Sequence, residues 1–481
     1  MSAALIFHQG AEGNAVRPHR CSYALLLLCA TTAIALHGQT FTTLHSFDGT
    51  DGKVPEAGLV QATNGNLYGT AGSGGANGDG TIFKITPSGT LTMIYSFCQP
   101  PNRCTDGAYP FAGLIQATDG DFYGTTAEGG ANGHGTVFKI SPSGTLATLH
   151  SFCSENGCAD GQYPDAVLVQ AVDGDFYGTT YSGGANGFGT VFKINPSGAL
   201  TTLHSFCSES GCTDGQYPDV GLVQAIDGNL YGITYAGGAS GDGTVFKMTP
   251  SGKLTTLHSF DSTDGQYPLA GLVQATDGSF YGTTDEGGAA GFGTVFKITA
   301  SGTLTTLHSF DSTDGAEPSG ALVQAADGSF YGTTAYGGAS NFGTAFKITA
   351  SGTLATLHSF GSGEGIVPYT GLIQDTNGTF YGTTVRGGAD NHGTLFSLSV
   401  GLGPFVETQT TSGNVGAAVE ILGTDLTGAT SVSFNGTAAT FTVVSRSLIT
   451  TTVPAGATTG KVQVVTQRGM LSSNMNFRVT P

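Results

Sequence analysis

The stretch GLVQATDGSFYGTTDEGGAAGFGTVFKITASGTLTTLHSF, residues 271–310, decides the fold. It carries four short apolar runs separated by three breaks. Gly271 to Ala275 reads as a buried strand, and Asp277-Gly278 as a tight hairpin turn, because that pair readily takes the positive φ such turns need. Phe280 to Thr284 is a second strand, followed by a glycine-rich connection from Gly287 to Gly293. Thr294 to Thr299 alternates its faces as a third strand. Ser301-Gly302 turns the chain again, and Leu304 to Phe310 is the fourth. Asp311 to Pro318 then lead into another copy of the same phrase.

Working outward, the Tyr-Gly pair recurs at Tyr68, Tyr123, Tyr177, Tyr231, Tyr281, Tyr331 and Tyr381, at spacings of 54–55 and then 50. The Gly-Thr-x-Phe and Leu-His-Ser-Phe phrases recur in step, the latter once as Ile94-Tyr95-Ser96-Phe97. Repeats of about 50 residues with four strands each suit propeller blades, so the spacing predicts a seven-bladed β-propeller. The seventh copy ends at Val400 without its fourth strand, while a spare copy, Phe41 to Phe47, stands before the first unit. Pairing Phe41–Phe47 with Thr394–Val400 closes the ring and removes an exposed sheet edge.

Composition agrees with turn-rich β-structure. There are 78 glycines, and each interior glycine costs a helix about 1 kcal/mol relative to alanine. The net charge is −18, with no Lys/Arg cluster, which excludes nucleic acid and disfavours an anionic membrane surface as partners. Arg17 and Arg20 precede an apolar run from Tyr23 to Leu36, the pattern of an export signal, here assigned to residues 1–38 with cleavage near Gly38-Gln39. No later segment is apolar enough to span a membrane, and the expected location is extracellular or on the cell surface. The propeller is assigned to 39–401. Beyond Pro404 the Tyr-Gly-Thr units stop and a Thr/Val/Ser-rich segment, 402–481, begins.

The recurring Asp-Gly-Asn-Leu-Tyr-Gly, Gly-Thr-Val-Phe-Lys-Ile and Leu-Thr-Thr-Leu-His-Ser-Phe phrases resemble the GloVer-type tandem repeats of "choice-of-anchor" bacterial proteins, and distantly NHL repeats. That resemblance covers 41 to about 400 and implies a secreted or surface-held propeller without assigning it chemistry. Gly416 to Gly423, Ser431 to Gly436, Ile449 to Pro454 and Gly460 to Val465 resemble an IPT/TIG domain, which implies an immunoglobulin-like β-sandwich serving as a spacer or interaction module.

Six cysteines outside the signal fall in neighbouring pairs, Cys98 with Cys104, Cys153 with Cys158 and Cys207 with Cys212, each in an enlarged interblade connection. Disulfides are expected, each worth roughly 2 kcal/mol by the chain-entropy account. Zinc is the rival, but two thiolates are half a site, and His150 and His204 point away across the pleat. His45, His150, His204, His258, His308 and His358 lie one per blade, too far apart to share an ion, and are assigned to packing or hydrogen bonding. Gln61, Gln116, Gln170, Gln224, Gln274, Gln324 and Gln374 sit on the innermost strands, where each amide is expected to bond to a neighbouring blade. Asp48…Asp51, Asp261…Asp264 and Asp311…Asp314 read as turns. No metal and no cofactor is expected.

His-Glu-x-x-His, Gly-x-Ser-x-Gly and Gly-x4-Gly-Lys are all missing. The residue after the recurrent proline, at the channel mouth, varies: Glu56, Phe111, Asp165, Asp219, Leu269, Ser319 and Tyr369. Glu56, Asp165 and Asp219 are the candidate catalytic carboxylates of a hydrolase or lyase acting on a polysaccharide or lactone. The favoured reading is a non-catalytic binding or scaffolding protein for an extracellular glycan or protein. Its expected ligand-binding rim comprises Glu128, Tyr181, Tyr235, Asp285, Glu286, Tyr336 and Arg386 from the glycine-rich loops, joined by Tyr109, Tyr163, Tyr217 and Tyr267 before the prolines.

Overall fold

A computed structural model describes residues 39–100 and 104–480. The expected export signal lies outside the described residues. Seven four-stranded antiparallel sheets follow one another along the chain, and a nine-stranded sheet succeeds them. Blade 5 comprises Val273–Gln274, Phe280–Thr284, Thr294–Ile298 and Leu304–Ser309. Its register pairs Gly282 with Phe296 and Lys297 with Thr305. A bulge between Val295 and Phe296 shifts the outer strand so that His308 faces Val295.

The ring closes as its strand count requires. Thr40–Ser46 pairs antiparallel with Thr394–Ser399, Phe41 opposite Leu398 and Ser46 opposite Thr394. The first strand of each blade is shorter than its apolar run, two residues in blade 5 against the expected five. The preceding residues bond outside the ladder: Thr70 Oγ1 donates to the Ala112 carbonyl at 2.9 Å, and Thr179 Oγ1 to that of Val220 at 3.1 Å. A hydroxyl from the preceding blade thus takes the carbonyl that a longer ladder would have used.

The core lies between blades. Tyr281 stacks on Phe330 of the next blade with centroids 4.0 Å apart, and Phe310 meets Phe346 edge-on at 5.3 Å. Such pairs add about 0.5–1.5 kcal/mol beyond the area they bury. The Tyr281 hydroxyl donates to Asp277 at 3.0 Å, and Lys297 reaches the same carboxylate at 2.8 Å. The Tyr-Gly phrase needs its glycine because a Cβ on Gly282 would stand 2.7 Å from the Phe296 ring. Phe47, Tyr381 and Leu395 pack against Leu59, Leu67, Phe83 and Ile85, so the seam between blades 7 and 1 is built like every other.

The glutamines perform the expected interblade bonding around the whole ring. Gln116, Gln170, Gln224, Gln274, Gln324 and Gln374 each accept a backbone N–H of the preceding blade at 2.8–3.0 Å. Gln61 closes the circle on Thr376 at 3.0 Å. The histidines hydrogen-bond as well, each to a carboxylate of the interblade loop. His308 Nε2 stands 2.7 Å from Asp314 and His45 Nε2 2.6 Å from Asp51. Where tyrosine replaces histidine, the Tyr95 hydroxyl donates to Asp106 at 2.8 Å.

The C-terminal strands include Val406–Thr408, Ala418–Gly423, Ser431–Phe434, Leu448–Thr452, Gly460–Thr466 and the long Gly469–Thr480. They wrap a core of Val419, Ile421, Val432, Phe434, Ile449, Val462, Val464 and Phe477 in a sandwich-like domain. It rests on the first-to-second-strand turns of blades 7 and 1. Phe405 N–H donates to the Thr376 carbonyl at 3.0 Å, and Ser447 Oγ to that of Thr63 at 2.7 Å. Asp375 is buried in this contact, in the place occupied by alanine in the other six copies. Burial pushes its carboxyl up to about 6, and burial, then Asp375 itself, pushes Glu407 up to about 7.

Candidate functional site at the channel mouth

One backbone device places seven variable side chains around the axis. In each blade the residue before the recurrent proline takes a left-handed conformation: Val54, Tyr109, Tyr163, Tyr217, Tyr267, Glu317 and Val367 all have φ between 53° and 58°. That region costs an ordinary residue about 1 kcal/mol or more, and Val most of all. Neighbours hold it: Tyr163 N–H donates to the His134 carbonyl of the preceding blade at 3.0 Å, and Tyr217 N–H to that of Phe188 at 2.9 Å. The chain then turns through the proline and delivers the next residue to the channel.

Glu56, Phe111, Asp165, Asp219, Leu269, Ser319 and Tyr369 share one cavity of about 580 Å³. Its lining contains three carboxylates and no basic side chain. Burial, then the charges of Asp219, Glu128 and Glu56, pushes the Asp165 carboxyl up to about 8. Burial pushes Asp219 up to about 7 and raises Glu56, the latter against the pull of Arg386. Asp165 Oδ1 is buried without a hydrogen-bond partner. Tyr369 is raised by burial and by the charges of Asp285, Asp219 and Glu56, so its hydroxyl shares one electrostatic environment with carboxylates from three other blades.

The expected rim divides into two sets. Tyr181, Tyr235 and Asp285 directly follow the second strand and turn inward. Tyr181 stacks on Tyr217 with centroids 4.9 Å apart, and Tyr235 on Tyr267 at 5.0 Å. Burial, then Asp219, raises the Tyr181 hydroxyl, and Asp285 accepts the Ser319 hydroxyl at 2.7 Å. Glu128, Glu286, Tyr336 and Arg386 fall one residue later and are exposed, bridged to Ala108, Gln266, Ala316 and Ile366. The three tyrosines of the rim are therefore not equivalent, since Tyr336 belongs to the outer set. Alternation along an extended backbone separates the sets.

All three cysteine pairs form disulfides. His150 points to Asp160, 3.0 Å away, as its place on the pleat required. A different histidine, His134, approaches the second pair from the glycine-rich loop of blade 2. Nothing periodic marked it, because its counterparts include Asp79, Phe188 and Asp242.

Fold and mouth define a closed seven-bladed propeller with an acidic, aromatic-edged channel entrance. Residues 31–159, 102–276 and 268–444 match the Gloeobacter/Verrucomicrobia repeat, and the chain belongs to that family. No curated protein matches it. Among solved structures it is similar to a fungal alcohol oxidase of the AA5 family in complex with copper, at 14% identity, covering 92% of this chain and 99% of that one with a TM-score of 0.51. It is also similar to the extracellular domain of a hybrid two-component system from Bacteroides thetaiotaomicron, at 11% identity and a TM-score of 0.51, covering 92% of this chain and 59% of that one. These likenesses share the fold alone.

Proposed function

We propose that the protein is an exported, non-catalytic binding protein whose channel mouth receives a cationic group of an extracellular ligand, the protonated amine of a peptide or an amino sugar. One observation carries the reading: Asp165 and Asp219 are desolvated carboxylates in a cavity whose lining offers no cation. A charge held away from water is costly unless paired, and an arriving ammonium supplies the partner. The Tyr181–Tyr217 and Tyr235–Tyr267 stacks beside them offer ring faces to the same group or to a sugar. Three disulfides accord with an exported chain. The C-terminal domain, read as an immunoglobulin-like IPT/TIG module over residues 402–481, rests on the first-to-second-strand turns, and none of its residues lines the mouth cavity.

An array of peptides and glycans, each amine-bearing probe beside its N-acetylated form, tests the reading. The wild-type protein is expected to select free amines, and the D165N/D219N variant to lose at least about tenfold in affinity, or 1.4 kcal/mol. Equal binding of acetylated probes by both proteins would refute it. So would release of product from a polysaccharide or lactone, which would make the same carboxylates the acid and base of a hydrolase or lyase.

A further inference from the structure

We propose that the loop joining blades 2 and 3 is a redox-gated metal site. Once the Cys153–Cys158 disulfide is reduced, its two thiolates and a ring nitrogen of His134 take up one Zn²⁺. Their ligand atoms already lie within 4.8 Å of one another. Tetrahedral zinc, with bonds of about 2.3 Å to sulfur and about 2.0–2.1 Å to nitrogen, sets its ligands roughly 3.5–4 Å apart, so the freed sulfurs must rotate apart from their bonded distance of about 2 Å while the His134 ring already stands within reach. The fourth position stays open to water or to an outside ligand.

Two features prepare the site. The loop keeps its shape through bonds that do not involve sulfur. Cys153 N–H donates to the Gly161 carbonyl at 3.1 Å and Gly161 N–H to that of Cys158 at 2.9 Å. The Asp160 carboxylate accepts the Ser154 hydroxyl at 2.7 Å and its N–H at 3.0 Å. Reduction therefore leaves the loop backbone in place and frees both thiol side chains to rotate toward His134. His134 is also unspent, since its Nδ1 is buried without a hydrogen-bond partner.

The chemistry balances with a thiol or phosphine reductant. Two electrons and two protons break the S–S bond and yield two thiols. The reductant leaves as its disulfide, or as the phosphine oxide with water supplying the oxygen. Zinc then displaces both thiol protons. While the disulfide is intact neither sulfur is a thiolate, so oxidation and metal binding exclude each other.

The repeat supplies its own controls. In the preceding loop, Asp79 occupies the place of His134 beside Cys98 and Cys104 and offers a harder oxygen ligand. In the following loop, Phe188 occupies it beside Cys207 and Cys212 and offers none.

The test is Zn²⁺ retention against a chromogenic chelator by full-length protein reduced anaerobically with a phosphine, with Co²⁺ as a spectroscopic stand-in. The disulfide form should retain no zinc at this loop. The reduced form should keep its β-sheet circular dichroism, bind zinc and show a thiolate-to-cobalt charge-transfer band. H134F should weaken the tightest site at least about tenfold, and F188H should add a further site. Retention indifferent to H134F, no gain from F188H, or loss of the β-sheet signal on reduction would overturn the proposal.

Discussion

Gln61 and Thr376, 315 positions apart in sequence, are joined by two hydrogen bonds: Gln61 Oε1 accepts the Thr376 N–H at 3.0 Å, and Gln61 Nε2 donates to Thr376 Oγ1 at 3.0 Å. They close the axial ring at the only seam that sequence does not join directly. Replacing Gln61 with leucine leaves a buried N–H without a partner, at about 1–3 kcal/mol. Denaturant unfolding of Q61L should show that loss, and hydrogen exchange should accelerate first at Thr376. Unchanged exchange there would mean that strand pairing alone closes the ring.

The outer clamp makes a sharper prediction because the chain contains its own variant. Tyr95 performs with Asp106 what His308 performs with Asp314. H308Y should therefore stay within about 0.5 kcal/mol of wild type in chemical denaturation, whereas H308F should lose about 1–2 kcal/mol by stranding the carboxylate. Equal effects of the two substitutions would show that the ring packing matters and the hydrogen bond does not.

Stability should fall as pH rises through the neutral range. Asp375, Glu407, Asp219 and Asp165 are raised to about 6, 7, 7 and 8 respectively. Unfolded carboxyls titrate near about 3.9–4.3, so above that range the unfolded chain ionises while these folded groups hold their protons. The stability they contribute is complete below about pH 4 and is lost as pH climbs through about 6 to 8. The melting temperature should decline across that window, and D165N and D375N should each flatten the decline. A flat profile in the wild-type protein would contradict the burial assigned to both sites.

The sequence carried the ring because a ring is periodic. Seven copies of Tyr-Gly and one spare strand before the first unit specify blade number and closure, and paired cysteines in adjacent enlarged loops specify their own bridges. The post-proline residues stood out by varying where everything else repeats, and they line one cavity. What remained illegible belongs to single copies or to contacts between units. His134 beside Cys153, and Asp375 beneath Glu407, depend on where one loop and one domain come to rest. The division of the rim into inner Tyr181 and Tyr235 and outer Tyr336 depends on a one-residue offset whose meaning needs the backbone path. The histidine–carboxylate clamps were hidden because Asp51, Asp264 and Asp314 also read as turn residues, which explained them without a partner.

Burial raises the Asp165 carboxyl to about 8 and that of Asp219 to about 7, so an ammonium arriving beside them favours their ionised forms and should release a proton. The most direct measurement is calorimetric titration of the wild-type protein with an amine-bearing ligand at pH 7, repeated in buffers of different ionisation enthalpy. The account expects release of about one proton per ligand bound, a release abolished in D165N/D219N. Binding of the same ligand with no proton release, or with the same release in that variant, would place the ligand elsewhere and contradict the account.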